Sequence, residues 1–208
     1  MLRAAVLTAS IALAPCAVAA PTYHGKAEPI AAAKPATARK PAGHTMATPP
    51  AMSDAAIIQS AMSAAPPAVG RDATIIKMGP GGAMTEVRKG TNGFTCMADN
   101  PATPGPDPMC GDANAMAWAR AWIEHKPPPA NKVGFMYMLA GGTDASNTDP
   151  YAQKPTSENN WVSTGPHVMV VGAMSMMEGY PESPTPDTTK PYVMWAGTPY
   201  AHLMIPVR

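Results

Sequence analysis

Short apolar stretches separated by glycine-rich and proline-rich links make up most of the chain beyond residue 71. Three of them, "ATIIKM", "AMTEVRK" and "GFTCMA", are joined by "GPGG" and "GTNG". Glycine-rich links of this length are typical of antiparallel hairpins. The pattern therefore predicts three short strands arranged as a meander.

Apolar residues then recur at helical spacing over residues 112–126, "DANAMAWARAWIEHK". Asp112 at the start and His125 with Lys126 at the end suit the two poles of a helix dipole. Pro127 follows and ends the helix. We expect one face of this helix to pack on a sheet. That face is formed by Ala115, Trp118, Ala119 and Trp122.

Further elements lie on both sides of that helix. A short helical arm is expected over residues 53–65, capped by Ser53 or Asp54. The stretch "VGFMYMLAGG" predicts a central strand. More strands are expected at His167–Val171, Tyr192–Trp195 and Ala201–Pro206. The element order predicts an α+β fold with a mostly antiparallel sheet, one main packing helix and a single compact domain over residues 53–208, with its core at 71–208.

The first 19 residues have the pattern of a secretory signal peptide. Arg3 precedes an apolar stretch too short to span a bilayer, and small residues stand at Ala17 and Ala19. Cys16 falls inside this segment, where Pro15 disfavours the alternative of a lipid-attachment site. The sequence therefore predicts a periplasmic or secreted protein with no membrane span in the mature chain.

Residues 20–52 contain mainly Ala, Pro, Thr and Lys. With almost no large side chain to bury, such a segment does not offset its ordering entropy. It is predicted to be a flexible tether. The 26 prolines of the whole chain fit stiff, irregular connections.

Without Cys16, the chain keeps one cysteine pair, Cys96 and Cys110. In an oxidising compartment an even pair predicts a disulfide, which would contribute about 3 kcal/mol in the chain-entropy model. A two-thiolate metal site is the alternative, but the paired C-x-x-C spacing of zinc modules is missing.

Charge excludes two classes of partner. Charged residues are 14% of the chain, the formal net charge is +1, and Lys and Arg do not cluster. Nucleic-acid binding and electrostatic membrane docking therefore lack support.

Two His-x-Met triplets provide the most specific chemical signal. His167 with Met169, and His202 with Met204, would each share one face of a strand. If the strands were neighbours in register, four soft or borderline donors would converge, a set that suits Cu(I). The alternative is core packing, since methionine fills irregular gaps and the chain has 17 methionines. No other cofactor is predicted.

The polar loop after "MLAGG" is the longest of the domain and is a candidate functional loop. Asp144, Asn147 and Asp149 are its possible ligands for a hard cation. Turn formation explains the same residues. A hydrolase-like set would pair Ser146, Ser163 or Thr164 with His167 or His202 and Asp144, but no complete catalytic motif is present.

Four stretches carry a family resemblance: "GFTCMADNPATPGPDPMCGDANAMAWARAW", "GGTDASNTDPYA", "WVSTGPHVMVVG" and "KPYVMWAGTPYAHLMIPVR". Over about Thr74–Arg208 the chain resembles an uncharacterised family of exported bacterial proteins. The resemblance implies an exported domain and carries no activity or site residues.

The function expected from sequence is a non-enzymatic binding or structural module of the cell envelope, whose partner is an envelope protein or a small ligand. Aromatic rings beside prolines and polar loops are the expected contact anchors. They are Tyr151, Trp161, Tyr180, Tyr192 and Tyr200. A periplasmic Cu(I)-binding protein is the alternative, and a small hydrolase comes third.

Overall fold

The structure is a computed structural model that describes residues 52–101 and 103–207. The predicted signal peptide and the predicted tether up to residue 51 lie outside the described residues. The described helices are α1 (Asp54–Met62), α2 (Pro67–Gly70) and α3 (Ala113–Ile123). The described strands are β1 (Thr74–Met78), β2 (Met84–Arg88), β3 (Thr95–Met97), β4 (Met109–Gly111), β5 (Gly134–Met138), β6 (Gly142–Asp144), β7 (Val162–Thr164), β8 (His167–Val171), β9 (Tyr192–Met194) and β10 (His202–Pro206).

Eight of these strands form one open sheet in the order β2-β1-β3-β4-β5-β8-β10-β9, and β6 pairs with β7 separately. The sheet is mixed, because β1 and β3 run parallel while the other neighbours run antiparallel. The described part of the chain is thus mostly sheet with few helices. The α+β, mostly antiparallel prediction describes it only loosely.

The predicted three-stranded meander is wrong. β1 and β2 do form a hairpin, but β3 returns to the other side of β1 and pairs with it in parallel. The Arg88 guanidinium at the end of β2 donates hydrogen bonds to the carbonyls of Gly70 and Ala73, at 2.7 and 2.9 Å. These bonds hold the returning chain close to the start of β1.

The predicted disulfide joins Cys96 to Cys110, which face each other across β3 and β4. Both cysteines are fully buried, and α1 covers them with Ile57 and Ala61. Ser53 caps α1 through a hydrogen bond that its Oγ accepts from Ala56 N. The helical arm therefore packs on the disulfide rather than standing apart.

Helix α3 begins at a carboxylate that serves two elements. Asp112 Oδ1 accepts from Ala115 N at 2.8 Å, and Oδ2 accepts from Phe135 N of β5 at 3.2 Å. The predicted packing face is confirmed, with Trp118 and Ala119 buried against the sheet. None of the helices in the two described ranges is long and apolar enough to cross a membrane.

Strands β5, β8, β10 and β9 have two different faces. The face under α3, here called the inner face, carries Met136, Met138, His167, Met169, Val171, Tyr192, Met194, His202 and Met204. The outer face carries Val168, Val170, Val193, Leu203 and Ile205, and Ala173 and Met177 from the following chain help to cover it. The functional question concerns the inner face.

Candidate functional site

A chamber of about 230 Å³ lies between α3 and the inner face. Ligand pockets for drug-sized molecules usually measure about 300–1,000 Å³, so this chamber suits a smaller guest. Its walls combine thioethers, indoles and one imidazole. They include Met136, Met138, Met169, Met194, Met204, Trp118, Trp122, Trp195 and His202.

The two His-x-Met strands are neighbours, and their register decides which donors meet. Met169 lies directly opposite Met204 in the antiparallel β8–β10 pair. His167 lies opposite Pro206, and His202 lies opposite Val171. The histidines are therefore offset by four residues, roughly 13 Å along the strands at about 3.3 Å per residue. The structure brings the two methionines together and leaves the two imidazoles at opposite ends of the pair.

His202 has a fixed tautomer. Its Nδ1–H donates to the Tyr200 carbonyl at 2.9 Å, so Nε2 carries the lone pair. Nε2 is buried and has no hydrogen-bond partner, and the residue has no exposed surface. The ring lies edge-on to Trp118 and Trp195, at centroid distances of 5.2 and 4.9 Å. Burial lowers the pKa of His202 to about 4, so the imidazole is neutral at pH 7.

Two thioethers flank that imidazole. Met194 lies directly opposite His202 on β9, and Met204 follows two positions later on the same face of β10. Directly opposed side chains in a sheet have Cβ atoms about 5 Å apart. Both methionines line the chamber with His202 and are almost completely buried. This places one nitrogen and two sulfur donors together.

His167 repeats this arrangement at the other end. Its Nδ1–H donates to the Gly165 carbonyl at 2.7 Å, and its Nε2 is buried without a partner. Met138 lies directly opposite on β5, and Met169 follows two positions later on β8. Burial lowers the pKa of His167 as well.

The chamber also contains a carboxyl group. Asp144 lines it, and burial first, then repulsion from Asp107, raises the pKa of Asp144 to about 7. Asp107, which lines the same chamber, has a pKa raised to about 6, mainly by burial. These two carboxyl groups are part of the polar lining of the chamber.

The three residues of the candidate loop have different hydrogen-bond partners, and their role as ligands for a hard cation stays a prediction. Asn147 is buried and its Nδ2 donates to the carbonyls of Ser183 and Val193, at 2.7 and 3.1 Å. Asp144 and Asp149 both line the chamber, and Asp149 Oδ1 also accepts from Tyr151 N in a turn. The loop is fastened to Trp195, whose backbone N and Nε1 donate to the carbonyls of Asn147 and Ser146. Its visible role is to hold an indole beside His202.

None of the hydroxyl groups of the hydrolase alternative forms a hydrogen bond with His167 or His202 in the described residues. Ser146 Oγ donates to Asn159 Oδ1 and accepts from the backbone N of Thr148 and Asp149. Thr164 shares a 2.6 Å hydrogen bond with Tyr192 Oη, and Ser163 is exposed. The ring nitrogens of His167 and His202 bond only to backbone carbonyls within the described residues. The geometry gives this alternative no nucleophile–base pair.

The aromatic anchors predicted for a partner divide into two groups. Tyr192 and Tyr200 are buried in the core under α3. Tyr151, Trp161 and Tyr180 are partly exposed, at 37%, 37% and 39%. Tyr151 also stacks on His125, with ring centroids 4.1 Å apart. Docking of an envelope partner stays a prediction.

A second cleft of about 750 Å³ lies between α1, β1 and α3. In the part of the chain that is described, the buried side-chain atoms without hydrogen-bond partners are Trp118 Nε1, Asn147 Oδ1, His167 Nε2 and His202 Nε2. None of these residues lines the second cleft. The chamber under α3 is therefore the better candidate site.

Sequence reasoning missed several residues of this site. Met136 and Met138 are spaced by two in "FMYM", a sign of a shared strand face, but only the strand order places them beside His167 and Met169. Met194, Trp118 and Trp195 join His202 through tertiary packing alone.

Over residues 52–101 and 103–207, no three His, Cys, Asp or Glu side chains come together as a metal-binding group. A metal centre at the chamber would therefore have to use thioethers. Comparisons of this chain with protein families, curated proteins and solved structures give no match. The resemblance to an uncharacterised exported family accordingly stays a prediction.

Proposed function

We propose that this protein is an exported, non-enzymatic Cu(I)-binding protein in which His202, Met194 and Met204 hold the ion. The observation that carries the proposal is the buried Nε2 of His202, which has no hydrogen-bond partner and lies among thioethers in a chamber. Buried polar atoms nearly always have partners, so an exception calls for an explanation. A bound ion provides one.

The donor set fits a soft ion. Thioether and imidazole ligands favour Cu(I) over magnesium, calcium or manganese, which prefer oxygen ligands. The Nδ1–H bond to the Tyr200 carbonyl orients the ring and fixes Nε2 as the donor, as outer-sphere partners of ligating histidines do. Proton competition is weak at neutral pH, because burial lowers the pKa of His202 to about 4.

The surroundings fit a protected site. Trp118 and Trp195 lie edge-on to the imidazole ring of His202, which limits the access of water to it. The chamber is smaller than ordinary ligand pockets. These features favour an ion over a larger organic ligand.

A titration with Ag(I), an air-stable soft ion, tests the proposal. The buffer contains neither chloride nor reductant, so the Cys96–Cys110 disulfide stays intact and offers no thiolate. We expect native mass spectrometry to show bound Ag(I) and the indole fluorescence to fall, because two indoles adjoin His202. Cu(I) added anaerobically as its acetonitrile complex should give the same result.

Three variants make the titration specific. His202→Leu and Met194→Leu remove ligands at nearly constant volume, and each should weaken Ag(I) binding on the order of tenfold or more. Met176→Leu is the matched control, since Met176 is 64% exposed and is not a chamber residue. It should leave the Ag(I) affinity unchanged. Equal Ag(I) affinity in the wild type and in His202→Leu would rule out the proposed centre.

A further inference from the structure

The inner face repeats one donor arrangement twice. In each copy a histidine has a methionine directly opposite it on a neighbouring strand and another two positions along its own strand. The first copy is His202 with Met194 and Met204, and the second is His167 with Met138 and Met169. The opposed Met169 and Met204 lie between them, so an approximate local twofold axis relates the copies.

His167, the histidine of the second copy, has the same hydrogen bonding and burial as His202 in the first copy. Its Nδ1–H is tied to the carbonyl two residues before it, as in His202. Its Nε2 is likewise buried and without a partner among the described residues. An ion held by His202, Met194 and Met204 gives the Nε2 of His167 no partner.

The tips of His167 and Met138 meet over Gly142 of β6. A β-carbon built on Gly142 would lie 2.9 Å from His167 Cε1 and 3.0 Å from Met138 Cε. It would also lie 3.5 Å from His167 Nε2. The imidazole and the thioether methyl therefore pack together over Gly142, and a side chain at this position would displace them.

The register places the two histidines apart along the strands. The histidines are offset by four residues, roughly 13 Å along the strands, whereas a ligating nitrogen lies about 2 Å from its metal. We infer that the protein holds a second Cu(I) ion at His167, Met138 and Met169, an inference that rests on the proposed function of the first site.

The test counts ions and locates them separately. Native mass spectrometry of the chloride-free Ag(I) titration should show two ions on the wild-type protein. Indole fluorescence should respond to only one of them, because the rings of Trp118 and Trp195 adjoin His202. His167→Leu should bind one ion and keep the full fluorescence change. His202→Leu should bind one ion and lose most of that change.

A second variant protects the test against misfolding. Met138→Leu keeps the histidine and changes one thioether to a similar volume, so it should weaken only the second ion, on the order of tenfold or more. In this variant the methionine methyl NMR shift changes on Ag(I) addition should disappear for Met169 but persist for Met194 and Met204.

The remaining outcomes separate the two proposals. One ion in the wild type that His167→Leu retains and His202→Leu loses would overturn the second site and leave the proposed function standing. One ion lost in both variants would show a single shared centre and also overturn the second site. No bound Ag(I) in any form would overturn both.

Discussion

The two faces of β8, β9 and β10 are both buried, yet they differ in chemistry. The outer face is aliphatic, with Val170, Val193 and Leu203 at its centre. The inner face carries two histidines and a group of methionines instead. Aliphatic residues would fill either face at a lower cost in desolvation. The difference fits the proposed use of the inner face for ion binding.

The comparison also bears on the methionine content. In the described outer-face cluster, the buried methionine is Met177, which comes from the covering chain and not from a strand. Five methionines of the inner strands line the chamber. Thioethers are thus concentrated on one side of the same strands, as the proposed function requires.

The largest effect is expected on the outer face. Leu203→Ala removes a buried leucine side chain and should lower the free energy of unfolding by about 2–5 kcal/mol. Urea denaturation measures this loss, and the Ag(I) titration should be unchanged. Loss of Ag(I) binding to the extent seen in His202→Leu would break the distinction between the faces.

A pH effect is expected from the chamber carboxyl group. The pKa of Asp144 is about 7 in the folded protein, against an ordinary value of 3.8. The unfolded chain therefore releases this proton near pH 4 and the folded protein only near pH 7. The free energy of unfolding should fall as pH rises through this window, by at most about 4 kcal/mol.

Asp144→Asn should remove that part of the slope, as urea midpoints between pH 4 and pH 8 would show. Asp107 adds a slope of the same sign, since burial raises its pKa to about 6, so the readout is the difference between wild type and variant. Asp149→Asn is the matched control, because Asp149 is exposed. Identical slopes in the wild type and Asp144→Asn would contradict the burial of this charge.

The His202 imidazole of the inner face gives the free energy of unfolding the opposite pH dependence. The pKa of His202 falls from 6.5 to about 4 on folding, mainly through burial. The stability that this group contributes is complete above pH 6.5 and is lost as pH falls toward 4, by at most about 3 kcal/mol.

His202→Leu should therefore be less sensitive to acid over pH 4–6.5 than the wild type. Circular dichroism during urea unfolding at several pH values measures this effect. His125→Leu serves as the control, since His125 is exposed. If the free energy of unfolding fell between pH 6.5 and pH 4 by the same amount in His202→Leu as in the wild type, the His202 imidazole would not be desolvated as the structure indicates.

The variant with the smallest expected effect on stability, Met204→Leu, gives the sharpest test of the difference between the inner and outer faces. Met204→Leu conserves volume in the core and should change the free energy of unfolding by less than about 1.5 kcal/mol. If methionine serves as a ligand, Ag(I) affinity should nevertheless fall on the order of tenfold. The reciprocal variant Leu203→Met adds a thioether to the outer face and should bind no additional ion. Unchanged Ag(I) affinity in Met204→Leu would favour simple packing.

Local patterns were sufficient to predict several elements. Helical spacing and a capping carboxylate identified α3, and the even cysteine pair identified the disulfide. The helix depends on interactions within one segment, and the disulfide follows because only one cysteine pair remains without Cys16. The place of β3 was mispredicted because glycine-rich links do not reveal which side of β1 the returning strand joins.

The sequence by itself determined the donors, because strand periodicity places His167 with Met169 and His202 with Met204 on shared faces. Tertiary structure alone decided how they are grouped. The antiparallel register sets the two histidines at opposite ends and supplies Met138 and Met194 as new neighbours. Strand order and register depend on the packing of the whole sheet, and a single segment does not contain that information.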